Sequence, residues 1–138
     1  MRSQRMPPIF RMLAIGLIVL TGGVAGRAAE IAKPAPDARK YDTDIRPILV
    51  ANCVKCHSGD KPKAKLKLDT LDDIMKGSRN GKVVIVGDSA KSEIVLAAAH
   101  ATEDSDEWMP PAKAVSRFPA LTADQIGLVR AWIDQGAK

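Results

Sequence analysis

A chain of 138 residues, 46% hydrophobic and 27% charged, can bury one modest core. Its formal net charge of +5 does not point to nucleic acid: Arg2, Arg5, Arg11 and Arg27 all lie in residues 1–28, where no acid stands, and the remainder is close to neutral. Only two cysteines are present, too few and too close in sequence for a disulfide framework, so the expected staple of so small a domain is a cofactor.

Residues 1–28 read as a secretory signal peptide. A basic start is followed by the uncharged run from Met12 to Gly26 and by small residues suited to cleavage after Ala28. That run is shorter than the roughly 20 apolar residues of a membrane-spanning helix. The mature chain is therefore expected to be exported, periplasmic and without a membrane span; an uncleaved leader would instead act as an anchor. Residues 29–40, polar and proline-bearing, read as a flexible lead-in. Residues 41–138 read as the folded domain.

The first helix is expected from Asp44, as N-cap, to about Gly59, because Ile45, Ile48, Leu49, Asn52, Cys53 and Cys56 recur at helical spacing. Pro47 then falls in the first turn, and both cysteines extend the buried face. The lysine-rich "DKPKAKLKL" reads as a loop and a short extended piece. "DTLDDIMKG" reads as a short helix capped by Asp69 or Thr70 and stopped by Gly77. "SRNG" is a turn and "KVVIV" an extended apolar run. A third helix is expected from Asp88 or Ser89 to about His100. Residues 101–120 show no periodicity, and an irregular loop of that length implies a task. The last helix carries the strongest punctuation. Thr122 and Gln125 have capping-box spacing, Leu121 and Ile126 that of a hydrophobic staple, and Gly136 is placed as a C′ stop.

Within the first helix, Cys53, Cys56 and His57 spell C-x-x-C-H, the attachment signature of a c-type haem. Cysteines three apart can each form a thioether to a porphyrin vinyl group, and the adjacent histidine reaches the iron. A thioredoxin-like dithiol would need a βαβ setting. A zinc site would need four ligands, and Cys53, Cys56, His57 and His100 have no familiar zinc spacing. Met109, in "EWMPPAK", is the expected second iron ligand, since a thioether is soft and favours reduced iron. Met75 reads as a core side chain. His100 reads as a residue at a helix C-terminus, and bis-histidine ligation is the competing arrangement.

"YDTDIRPILVANCVKCH", "LKLDTLDDIMKG", "VIVGDSAKSEIVLAAAH" and "WMPPAKAVSRFPALTADQIGLVRAWIDQGA" together resemble the planctomycete-type cytochrome c domain over residues 41–137. The resemblance implies an all-α, class I cytochrome c-like fold, with N- and C-terminal helices packed together and the haem held by intervening loops. It implies one haem c per chain, with Cys53 and Cys56 as thioether cysteines, His57 as proximal ligand and Met109 as distal ligand. "PKAKLKLD" departs from the family's habit of a glycine-rich turn before the leucine-aspartate pair. The expected role is electron transfer by a monomer that docks transiently with redox proteins, rather than enzymatic catalysis. Lys55, Lys61, Lys63, Lys65 and Lys67 are placed to steer an acidic partner. Two alternatives stand beside it: a haem-based ligand sensor or peroxidase-like protein with an open or labile distal position, and a haem subunit of a larger dehydrogenase complex.

Overall fold

The computed structural model describes residues 31–37 and 39–138. The signal peptide expected over residues 1–28 lies outside the described residues. The fold is mostly helical, and among the described residues the only β-type pairing is an isolated bridge between Ser78 and Gly81.

Helix α1 spans Arg46–Asn52 and continues from a π-helical turn at Tyr41–Ile45. Pro47 has no N–H to donate back along the helix, and the wider turn ahead of it closes through Arg46 N–H to the Tyr41 carbonyl. Asp44 is not the cap of α1. It lies inside the helical run, where its carboxylate accepts the Lys40 N–H at 2.8 Å. The helix also stops well short of Gly59. Asn52 donates its side-chain amide to the Ile48 carbonyl at 2.8 Å, a local bond that competes with the helical ladder. Residues 53–57 then fold into tight turns, so Cys53 is only half-buried and Cys56 is exposed. The periodicity that put both cysteines on a helix face breaks off one residue too soon.

Helix α2, Leu71–Lys76, begins where its cap predicts: Thr70 Oγ1 accepts the Asp73 N–H at 3.1 Å. It ends at Gly77, with φ of 87°, where an added Cβ would sit 2.3 Å from the Gly81 carbonyl oxygen. Helix α3, Glu93–Ala98, is shorter than expected, because Asp88 caps a separate 3₁₀ turn at Ser89–Lys91. The apolar run before it has no partner strand. Its backbone is held by α3 instead: Ile94 N–H donates to the Val83 carbonyl at 3.0 Å, and Ile85 N–H to the buried Ser92 hydroxyl at 2.8 Å.

Helix α4, Ala123–Asp134, keeps its full capping box: Thr122 N–H donates to Gln125 Oε1 at 2.9 Å, and Gln125 N–H to Thr122 Oγ1 at 3.2 Å. Gly136 ends it with φ of 106°, and the N–H groups of Gly136 and Ala137 return to the carbonyls of Ile133 and Trp132. The core gathers around this helix. Ile45, Leu49, Ile74, Val95, Trp132 and Ile133 are each at most 1% exposed, and each contributes about 1.5–3 kcal/mol of burial free energy. The first helical turn meets α4 through Tyr41 and Trp132, whose ring centroids are 5.8 Å apart.

The lead-in also lies along α4. Ala35 N–H donates to the Gly127 carbonyl at 2.9 Å, and Arg130 donates to the Ala32 carbonyl. Gly127 permits this approach, since a Cβ there would be 2.8 Å from the Lys33 carbonyl oxygen.

Candidate functional site

The turns after α1 are fastened to the segment that follows them. Lys63 N–H donates to the Cys56 carbonyl at 3.0 Å, and Leu68 N–H to the His57 carbonyl at 2.8 Å. These bonds fold residues 63–68 back over the C-x-x-C-H turn and leave His57 only 7% exposed. The doubling back requires left-handed backbone at Ala64 and Lys65, with φ of 54° and 55°. This is where the chain departs from the glycine-rich turn of the family it resembles.

Cys53, Cys56 and His57 line one cavity of about 360 Å³, within the span of cofactor pockets, roughly 300–1,000 Å³. Its apolar walls come from several elements: Leu49 from α1, Leu68 and Val83 from the connecting segments, Val95 from α3, and Ile126 and Val129 from α4. Met109 also lines it, with Pro110 and Pro111. The long loop thus returns over the cavity, and Met109 N–H is tied to the Ala97 carbonyl at 3.0 Å. Met75 packs against the core instead, as its helical neighbours implied.

His100 stands apart from the cavity lining. Its Nε2 lies 3.2 Å from the Met109 carbonyl oxygen, and its ring stacks on Trp108 with centroids 5.0 Å apart and planes 3° apart. Trp108 is therefore a support for His100, and its Nε1 donates to the Thr102 carbonyl at 3.3 Å.

The chemistry of the donor set suits a haem bound through thioethers and an imidazole. Both cysteines are free thiols. Burial, reinforced by the neighbouring Cys56, pushes the Cys53 thiol up to about 11. Burial also lowers the pKa of His57, which favours the neutral, metal-binding imidazole; the carbonyls of Leu66 and Lys63 oppose that shift more weakly. Nδ1 of His57 is buried with no hydrogen-bond partner among the described residues, an expensive arrangement for an imidazole with only structural work to do. An apolar chamber with two thiols and a neutral imidazole on one wall and a thioether on the loop fits the group.

Arg79, Asn80 and Phe118 also line this cavity and were not singled out by sequence reasoning. "SRNG" carries a strong turn signal that masks any second role. Phe118 had a fainter mark, as one of two phenylalanines in the chain. Lys55, inside the C-x-x-C-H motif, lies over its ring at 5.4 Å.

Residues 53–113 match the family described as Planctomycete cytochrome C. No curated protein and no solved structure matches the chain.

Proposed function

We propose that this chain, whose residues 53–113 match the planctomycete cytochrome c family, is a c-type cytochrome that serves as an exported electron carrier with one haem per chain. Cys53 and Cys56 would hold the haem covalently, with His57 and Met109 as its axial ligands. The observation that carries this reading is the convergence of all four residues on one apolar cavity from which His100 is excluded. The single C-x-x-C-H motif supports one haem per chain. The packing of the first helical turn on α4 supports the class I arrangement of terminal helices.

When bound, the haem supplies a one-electron couple at its iron. The chain's own residues do the rest. The ties from the Cys56 and His57 carbonyls to residues 63 and 68 fix the backbone from which the imidazole projects. Leu68, Val83 and Val129 exclude water from the chamber, so a change of charge inside it is felt strongly. Lys55, Lys61, Lys63 and Lys65 are exposed beside the motif, and none forms an ion pair among the described residues. They would draw an acidic redox protein to this side of the molecule. A peroxidase-like reading would need an acid–base group beside the iron, and His100, the candidate for it, has its Nε2 engaged with the Met109 carbonyl.

The test is the visible spectrum of the exported protein, oxidised and reduced, beside Met109→Ala and His100→Ala. Covalent haem with a far-red methionine–ferric band, abolished by Met109→Ala alone, is the expected result. Covalent haem without that band and sensitive only to His100→Ala would replace the reading with bis-histidine ligation. A protein without covalent haem would overturn it.

A further inference from the structure

Helix α3 ends in a Schellman motif. Ala101 N–H donates to the Leu96 carbonyl at 2.8 Å and His100 N–H to the Ala97 carbonyl at 3.2 Å, which places His100 at the left-handed C′ position with φ of 55°. Glycine is the usual occupant there, because a Cβ makes that conformation costly. Here the position carries a side chain whose ring reaches Met109, nine residues on.

The geometry says what that side chain does. A carbonyl oxygen only accepts hydrogen bonds, so the 3.2 Å contact is Nε2–H of His100 donating to the Met109 carbonyl. The same peptide segment is held from the other side, as Met109 N–H donates to the Ala97 carbonyl at 3.0 Å. His100 N–H shares that Ala97 acceptor, so the end of α3 and the loop converge on one carbonyl. Trp108 closes the arrangement. It stacks flat on the imidazole and anchors its own indole N–H on Thr102. The backbone that presents the Met109 side chain to the cavity is thus fixed at both its N–H and its carbonyl, within a long loop whose regular pieces are two 3₁₀ turns, Ser105–Glu107 and Ala112–Ala114.

We infer that His100 is a positioning residue for Met109: its Nε2–H bond to the Met109 carbonyl, stacked on Trp108, clamps the loop so that the thioether stays directed into the cavity. This rests on the reading of Met109 as the distal ligand. A nitrogen that carries a proton and donates it to a carbonyl has no lone pair for iron, so the clamp and ligation through the same nitrogen exclude one another.

The test uses the haem-loaded protein and three variants. His100→Gly relieves the backbone at C′ while removing the clamp, so it separates the fold of α3 from the hold on Met109. His100→Gln restores a donor of similar reach. Each is read by the far-red methionine–ferric band and by the rate of cyanide binding to the ferric protein, which reports how often the methionine leaves. His100→Gly is expected to bind cyanide about tenfold faster with a weakened band, as loss of one hydrogen bond predicts, and His100→Gln to return most of the way to wild type. Wild-type cyanide kinetics and band in His100→Gly would overturn the clamp. Met109→Ala tells the two failures apart: if it abolishes the band while His100→Gly changes nothing, only the clamp fails. If the band is absent from the wild type, the ligand reading fails and the clamp with it.

Discussion

The carbonyl oxygen of His57 accepts the N–H of Leu68 at 2.8 Å, and Leu68 is itself only 3% exposed. One residue therefore holds the imidazole's backbone and walls the cavity with its side chain. Truncation to alanine leaves the hydrogen bond and removes the wall. Leu68→Ala is expected to destabilise the haem-loaded protein by about 2–5 kcal/mol, the cost of a buried leucine and the space it leaves. Guanidinium unfolding followed at the Soret band measures this; a loss below about 1 kcal/mol would mean that the cavity does not depend on that wall.

Tyr41 presents a different case. Its ring is buried against Trp132, yet its hydroxyl has no partner among the described residues. Burial raises its pKa above the ordinary tyrosine value of about 10, with Arg46 opposing and Asp42, Asp69 and Asp73 adding to the rise. The folded chain keeps this proton to higher pH than the unfolded chain does. Stability linked to Tyr41 is therefore fully present below pH 10 and lost as pH rises toward the folded-state value. Tyr41→Phe removes both the unpaired hydroxyl and the titration. It is expected to equal or exceed wild type by about 1 kcal/mol at neutral pH, with the margin widening above pH 10. Urea unfolding at both pH values checks it, and a variant weaker than wild type at both would show that the hydroxyl is satisfied.

Gly127 sets two tendencies against each other. Alanine in a helix interior is favoured over glycine by about 0.5–1 kcal/mol. The added Cβ would meet the Lys33 carbonyl at 2.8 Å, backbone that can yield only by moving the lead-in away from α4. Gly127→Ala is expected to keep the helical domain folded while exposing residues 31–40, so that trypsin cuts after Arg39 and Lys40 several-fold faster, the Lys33–Pro34 bond being resistant to it. Unchanged cleavage would show that the lead-in gains little from lying on the helix.

The lysines beside the motif make a prediction about rate. Lys61→Glu with Lys65→Glu reverses two exposed charges without touching the cavity lining. Electron transfer with an acidic redox protein is expected to slow by about tenfold or more at low salt, and the gap to close as ionic strength rises. Equal rates at every salt concentration would place the docking surface elsewhere.

Much of this protein was legible one segment at a time. Thr122 with Gln125, Thr70 before α2, and the stops at Gly77 and Gly136 are local devices: each hydrogen bond or positive φ involves residues within five positions of one another, so spacing alone reveals it. The C-x-x-C-H motif belongs to the same class, since its chemistry is written in five adjacent residues. Other features depend on distant partners. The turns at residues 53–57, expected as helix, are held by bonds from Lys63 and Leu68, partners that periodicity does not record. "KVVIV" looks like a strand, but its backbone partners are Ser92 and α3. His100 and Met109 were both plausible ligands in the sequence. Only the Schellman turn at the end of α3 and the stack on Trp108 direct one ring to a carbonyl and leave the thioether facing the cavity. Residue types and spacing determine which chemistry is available; the long-range bonds that close the loops decide which side chains meet to perform it.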